Sequence, residues 1–85
     1  MPYQIIFKPR ARRELEKVPN AVGERIAAAI DTLAFEPRPP GCKKLVNQEN
    51  LWRIRVGDYR IVYQVHDRQL IVLVVRIAHR REVYD

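Results

Sequence analysis

The fold is decided by residues 51–65, LWRIRVGDYRIVYQV, where apolar and polar side chains alternate on both sides of a Gly-Asp pair. Alternation with a period of two is typical of β-strands that bury one face. A glycine at the first position of a two-residue connection favours a type II′ turn, so Gly57 and Asp58 predict a tight hairpin. We expect the two strands of this hairpin to span Leu51–Val56 and Tyr59–His66.

The register of the hairpin separates two kinds of side chain. One face carries apolar pairs and is expected to be core: Trp52 with Tyr63, Ile54 with Ile61, and Val56 with Tyr59. On the other face Arg55 lies directly opposite Arg60, and Arg53 lies beside Val62. Facing like charges destabilise a sheet by roughly 0.2–1 kcal/mol, whereas a bound anion would convert the repulsion into attraction. Because the guanidinium fork matches phosphate oxygens, this face predicts a phosphate-binding surface. The alternative is a solvated strand face on which the arginines cover apolar neighbours.

Apolar spacing on either side of the hairpin indicates the remaining elements. It predicts a strand at Tyr3–Lys8, a helix at Arg10–Val18, a second helix from Asn20 to Leu33, an exposed loop at Pro37–Gly41 and a last strand at Gln69–Ala78. If the last strand pairs through a tight turn at Asp67 and Arg68, Val75 lies opposite Arg60. The predicted fold class is α+β: a short N-terminal strand, a helical hairpin and then an antiparallel meander, with the helices packed on one face of the sheet.

Composition limits the class of protein further. A chain of 85 residues favours a single domain, residues 1–85, and its net charge of +6 points to a polyanionic partner. The longest aliphatic run, Leu70–Val75, is far shorter than the ~20 residues of a membrane span, so we expect a soluble, cytoplasmic protein with no membrane contact. With one cysteine, Cys42, and two histidines, we expect no internal disulfide, no metal site and no cofactor.

The C-terminal segment supplies groups that could move protons beside these arginines. His79 and Tyr84 carry an imidazole and a phenol, while Arg80 and Arg81 are phosphate donors. Together they predict a metal-free phosphodiester site, in which the 2′-hydroxyl of RNA attacks its own phosphate. The alternatives are a tail aromatic at the core edge and a surface histidine.

The quoted hairpin and the run from Val74 to Tyr84 closely resemble the RelE branch of the RelE/ParE toxin superfamily. The resemblance covers nearly the whole chain. It implies a toxin of a type II toxin–antitoxin system, a metal-independent endoribonuclease that enters the ribosomal A site, cuts mRNA and leaves a 2′,3′-cyclic phosphate.

The resemblance also implies roles for individual residues. Arg53 and Arg55 match basic positions that bind the RNA backbone, Arg60 matches the arginine that stabilises the scissile phosphate, Arg80 matches the arginine that assists the leaving group, and Tyr84 matches the tyrosine proposed as base. His79 joins the catalytic candidates because histidines take part in other branches. Arg81, Lys43 and Lys44 are added as phosphate contacts.

The partners implied by the resemblance are a cognate antitoxin protein, the ribosome and mRNA. The toxin–antitoxin complex is expected to bind operator DNA through the antitoxin. Two other functions stay open on the sequence: a ParE-like, non-enzymatic inhibitor of DNA gyrase, and a plain RNA-binding module.

Overall fold

The structure, a computed structural model, describes residues 2–46 and 48–79. Its elements in chain order are β1 (Gln4–Phe7), α1 (Pro9–Lys17), α2 (Asn20–Leu33), β2 (Lys43–Lys44), β3 (Trp52–Val56), β4 (Tyr59–His66) and β5 (Ile71–His79). The strands form one sheet in the order β1-β5-β4-β3-β2. All neighbouring strands are antiparallel except β1 and β5, which run parallel. The α+β class is confirmed, and the meander is extended by a parallel strand into a mixed sheet.

Both helices pack on the same face of the sheet, as predicted. Proline begins α1 at Pro9, where its fixed φ suits the first helical turn and no amide donor is lost. The buried helical side chains are Ala11 and, in α2, Ile26, Ile30 and Leu33. They form one core cluster with apolar residues of β3, β4 and β5, among which Ile61 and Tyr63 have no exposed surface.

The central hairpin has the predicted register. Arg55 pairs with Arg60 and Val56 pairs with Tyr59, so Gly57 and Asp58 are the whole turn. Gly57 has a φ of +58° while Asp58 keeps a negative φ, which is the pattern of a type II′ turn. The three apolar pairs predicted as core lie on the helix side, with Trp52, Val56 and Tyr59 partly buried against the cluster.

The next pairing differs from the prediction. Arg60 lies opposite Ala78, not Val75, because the turn between β4 and β5 takes four residues, 67–70, and the register shifts by one between Val62 and Tyr63. Leu70 ends this turn with a φ of +55°, a region that a branched side chain seldom adopts. Its carbonyl accepts a 2.7 Å hydrogen bond from the Gln4 amide, so the docking of β1 offsets the strain.

The segment after the proline loop also differs from the prediction. Lys43 and Lys44 form a short edge strand, where the sequence indicated a loop. Lys43 pairs with Arg53 and Lys44 pairs with Trp52. A strand of two residues shows no periodicity, so only its partner strand reveals it.

Candidate nucleic-acid interface

The sheet face opposite the helices carries basic side chains in two transverse rows. Directly paired residues share a face, and the pairings give one row of Lys43, Arg53, Val62 and Arg76 and a second row of Arg55, Arg60 and Ala78. Val62 and Ala78 are buried yet lie outside the helix-side core cluster, in agreement with this assignment. We call Lys43, Arg53, Arg55 and Arg60 the basic face. It contains two like-charge pairs in directly facing positions, of which the sequence revealed only one.

A pocket opens on this face beside the proline loop. Its volume is about 370 Å³, and its walls are Pro40, Gly41, Lys43, Arg53, Ile54 and Arg55; we call it the basic pocket. Arg53 is only 3% exposed, whereas Arg55 is exposed and Arg60 is half-buried. Arginine is rarely so deeply buried without a charged or polar partner. The burial of Arg53 argues against the alternative of a simple solvated strand face at that position, because its side chain lines the pocket while almost none of it is exposed to solvent.

Arg76 belongs to the same row but is engaged elsewhere. Its Nε and Nη2 atoms donate to the Glu14 carboxylate at 3.1 and 2.9 Å, and the Ile77 amide donates to the same carboxylate at 2.8 Å. Since β1 ends at Phe7, opposite Val74, Glu14 takes over the edge of β5 where the strand partner stops. One carboxylate therefore neutralises Arg76 and satisfies a sheet amide.

Glu14 was not singled out by the sequence analysis, although a signal exists. It lies three residues after Ala11 and four before Val18, both buried, so it sits within the apolar stripe of α1. A carboxylate in that position is expected to meet a cation from the sheet.

His79 lies on the helix side of the sheet. Its ring makes an edge-to-face contact with Tyr59, with ring centroids 5.3 Å apart and an interplanar angle of 83°. Both rings line a second pocket, of about 260 Å³, with Lys17 and Val18 of the helical hairpin. Arg60 projects from the opposite face, so the structure does not bring His79 together with the basic face. Arg80, Arg81 and Tyr84 lie outside the described residues.

The two lysines of β2 are divided between the faces. Lys43 extends the basic face, whereas Lys44 lies on the side of Trp52, with its Nζ 5.9 Å from the centre of the indole ring. A lysine over an indole face makes a cation–π contact. Both lysines were predicted as phosphate contacts, and of this pair the structure places only Lys43 at the basic pocket.

Hydrogen bonds among three polar side chains connect the proline loop to the turn between β4 and β5 and to the residue before β1. Arg38 donates to both carboxylate oxygens of Asp67, at 3.3 and 2.9 Å, and the Tyr3 hydroxyl donates to Asp67 at 2.7 Å. These hydrogen bonds, chiefly that of Arg38, hold the pKa of the Asp67 carboxyl below its ordinary value. We call Tyr3, Arg38 and Asp67 the loop clamp. Nothing in the local sequence predicts it, because its members come from three separate segments.

A second contact fixes the start of the same loop. The hydroxyl of Tyr63 donates to the Pro37 carbonyl at 2.7 Å. Burial raises the pKa of the Tyr63 phenol, and the nearby Cys42 raises it further. Tyr63 therefore combines the predicted core role of its ring with an unpredicted role of its hydroxyl.

Among residues 2–46 and 48–79, no group of three or more His, Cys, Asp and Glu side chains is arranged to hold a metal ion. In the same part of the chain, no helix is both long and apolar enough to cross a membrane.

Known proteins resemble this chain over almost its whole length. Residues 5–84 match the family described as ParE toxin of type II toxin-antitoxin system, parDE. Toxin RelG of Mycobacterium tuberculosis is 34% identical over 89 residues, covering 99% of this chain and 98% of that protein. The mRNA interferase toxin RelE of Escherichia coli K12 is 30% identical over 95 residues, covering 100% and 93%. In the crystal structure of the archaeal RelE–RelB complex from Pyrococcus horikoshii, the matching chain has a TM-score of 0.84 at 26% identity, with 98% of this chain and 100% of that chain covered.

Proposed function

From the premise that this chain belongs to the ParE toxin family of type II toxin–antitoxin systems, and to its RelE branch, we propose that it is a metal-independent mRNA endoribonuclease acting in the ribosomal A site. The observation that carries the proposal is the basic face, where Lys43 faces Arg53 and Arg55 faces Arg60. Two facing like-charge pairs oppose folding and favour an anionic ligand. The relative from Escherichia coli bears the name mRNA interferase, which supports RNA as that ligand.

The proposed reaction is transesterification by the RNA itself. The 2′-oxygen attacks the adjacent phosphorus, a bond forms between them, and the bond from phosphorus to the 5′-oxygen breaks. A base takes the 2′-hydroxyl proton and an acid protonates the leaving 5′-oxygen, so that one product end is a 2′,3′-cyclic phosphate and the other a 5′-hydroxyl. Charge builds on the phosphate oxygens in the transition state, where preorganised cationic donors have their largest effect.

The described residues supply the charge stabilisation. Arg60 is assigned to the scissile phosphate, while Arg53, Arg55 and Lys43 hold the flanking backbone in the basic pocket. The proposed acid and base, Arg80 and Tyr84, follow β5 in the sequence, and Arg81 adds a phosphate contact. His79 is left out of the proposed catalytic set, because its ring packs on Tyr59 on the other face.

The partners proposed for this chain follow from its relatives. RelE from Pyrococcus horikoshii was solved in complex with RelB. We propose a cognate antitoxin for this chain, with operator DNA bound by the complex through the antitoxin. The ribosome as site of action implies a cytoplasmic protein, and residues 1–85 are proposed to act as one domain.

The test is to sequence mRNA 5′ ends after a brief pulse of expression. Wild type is expected to halt translation and to produce new mRNA ends within codons occupying the A site. Arg60→Ala and Tyr84→Phe should abolish both effects while the proteins stay folded by circular dichroism. Arg13→Ala, an exposed change of the same charge on α1, is the matched control and should remain toxic. Intact mRNA during growth arrest would refute the proposal.

The second candidate is inhibition of DNA gyrase, and it is kept because the matching family description names parDE. It predicts gyrase-trapped DNA breaks with unaffected mRNA in the same expression experiment. A protein that binds RNA in a salt-sensitive way but arrests nothing would instead be a plain RNA-binding module.

A further inference from the structure

The loop between α2 and β2 connects the loop clamp to the basic pocket. Arg38 lies two residues before Pro40, the first loop residue that lines the pocket. The Arg38 guanidinium also lies over the ring of Trp52, 5.0 Å from its centroid, and Trp52 directly precedes Arg53 in β3. The loop clamp is thus connected to the pocket in two ways. The proline loop carries both Arg38 and the lining residue Pro40, and β3 carries both Trp52, which Arg38 contacts, and the lining residue Arg53.

We infer that the loop clamp positions the wall of the basic pocket to receive an RNA phosphate, which makes Arg38 and Asp67 positioning residues; this rests on the proposed function. The pair joins segments 29 residues apart, and both of its side chains are substantially exposed, at 39% and 55%. Such exposed pairs contribute little to global stability. A bidentate arginine–carboxylate pair nevertheless fixes direction as well as distance. We therefore expect the Arg38–Asp67 pair to act locally, by raising the fraction of molecules in which the loop between α2 and β2 has the conformation that binds RNA.

One substitution separates positioning from bulk electrostatics by the sign of its effect. Asp67→Asn removes a negative charge from a protein of net charge +6, so electrostatics alone predicts tighter binding of a polyanion. Loss of the clamp predicts weaker binding, by about threefold to fivefold, the upper part of the range that an exposed ion pair can supply. The effect is limited because the Tyr63 hydroxyl still holds the Pro37 carbonyl at the start of the loop.

The experiment compares wild type, Asp67→Asn, Asp67→Glu and Asp31→Asn. Asp31 is exposed on α2, and its substitution changes the net charge by the same amount as Asp67→Asn. Binding of a labelled 2′-O-methyl RNA oligonucleotide is measured by fluorescence anisotropy, and single-turnover mRNA cleavage is measured on programmed ribosomes. Thermal unfolding of each variant establishes that all are folded at the assay temperature.

For Asp67→Asn we expect binding about threefold to fivefold weaker and a matching rise in the toxin concentration for half-maximal cleavage. The maximal cleavage rate should stay within about twofold of wild type, since the clamp touches no reacting atom. Asp67→Glu keeps the carboxylate and should recover most of the loss, while Asp31→Asn should bind as well as wild type or slightly tighter. The sole tryptophan, Trp52, adds a readout without RNA, because release of Arg38 from Asp67 should shift its emission.

Binding by Asp67→Asn that equals or exceeds that of Asp31→Asn would overturn the inference, as would a loss explained by partial unfolding. Wild type that binds the oligonucleotide but leaves mRNA intact would refute the proposed function, and the binding series would still decide the role of the clamp. Wild type that neither binds the oligonucleotide nor cleaves mRNA would overturn both the inference and the proposed function.

Discussion

Replacing Arg55 by glutamate should stabilise the protein and inactivate it at the same time. Arg55 is exposed and directly faces Arg60. Two unit charges roughly 6–8 Å apart in water repel by about 0.5–0.7 kcal/mol. Reversing one sign turns that repulsion into attraction, so the expected gain in the free energy of unfolding is about 1 kcal/mol. For a chain of this size the gain corresponds to a rise of roughly 4–8 °C in the melting temperature.

The assay is thermal unfolding of wild type, Arg55→Glu and Arg13→Glu at two salt concentrations. Arg13→Glu makes the same change in net charge on the exposed side of α1, and its effect should stay within about 0.5 kcal/mol. In 1 M NaCl the Debye length falls to about 3 Å, so most of the advantage of Arg55→Glu should vanish. Arg55→Glu should lose toxicity and RNA binding, whereas Arg13→Glu should keep both.

A melting temperature of Arg55→Glu equal to or below that of wild type would refute the reasoning. So would a gain that high salt leaves intact, because it could not come from relieved repulsion between exposed charges. Either result would mean that the facing arginines oppose folding less than their register indicates, and the main physical argument for an anionic ligand would fall with it.

Three other substitutions test contacts outside the basic face. Tyr63→Phe should lower the free energy of unfolding in urea by about 1 kcal/mol; because the folded state raises the pKa of this phenol, wild type should also lose stability as the pH rises above about 10, and the variant should lose less. Glu14→Gln should lower the free energy of unfolding by about 1–3 kcal/mol, since Arg76 and a sheet amide lose their anionic acceptor, whereas Glu16→Gln on the exposed side of the same helix should change little. Folding lowers the pKa of Asp67, so its contribution to stability is present above about pH 4 and is lost as the pH falls further. The free energy of unfolding should therefore fall less steeply with decreasing pH in Asp67→Asn than in wild type, and identical pH profiles would contradict the clamp geometry.

The central hairpin could be predicted in full because its determinants are local. Alternation sets the two faces, and Gly57 with Asp58 sets the register, so the facing of Arg55 and Arg60 followed from the sequence. The next pairing could not be predicted, because a leucine at position 70 gives no sign of a left-handed backbone. That conformation depends on a hydrogen bond to β1, which lies at the other end of the chain.

The site was predictable in the same uneven way. Arg53, Arg55 and Arg60 were placed on one face from their spacing alone, whereas the contribution of Lys43 needed the partner strand. The face on which His79 lies could not be predicted, because it depends on the four-residue turn and the register shift between β4 and β5. Contacts between distant segments, such as Arg38 with Asp67, leave no periodic trace and required the folded structure.

The placement of β5 between β1 and β4 sets the order in which the molecule can assemble as it is synthesised. β5 is the last described strand to be made, yet it is an interior strand of the sheet and pairs with the first strand. Neither β1 nor the helical hairpin can complete its burial until this strand arrives, and pairing of such distant segments is slow. The nascent chain therefore stays unassembled until β5 has been made, and the sheet that carries the basic face closes only then.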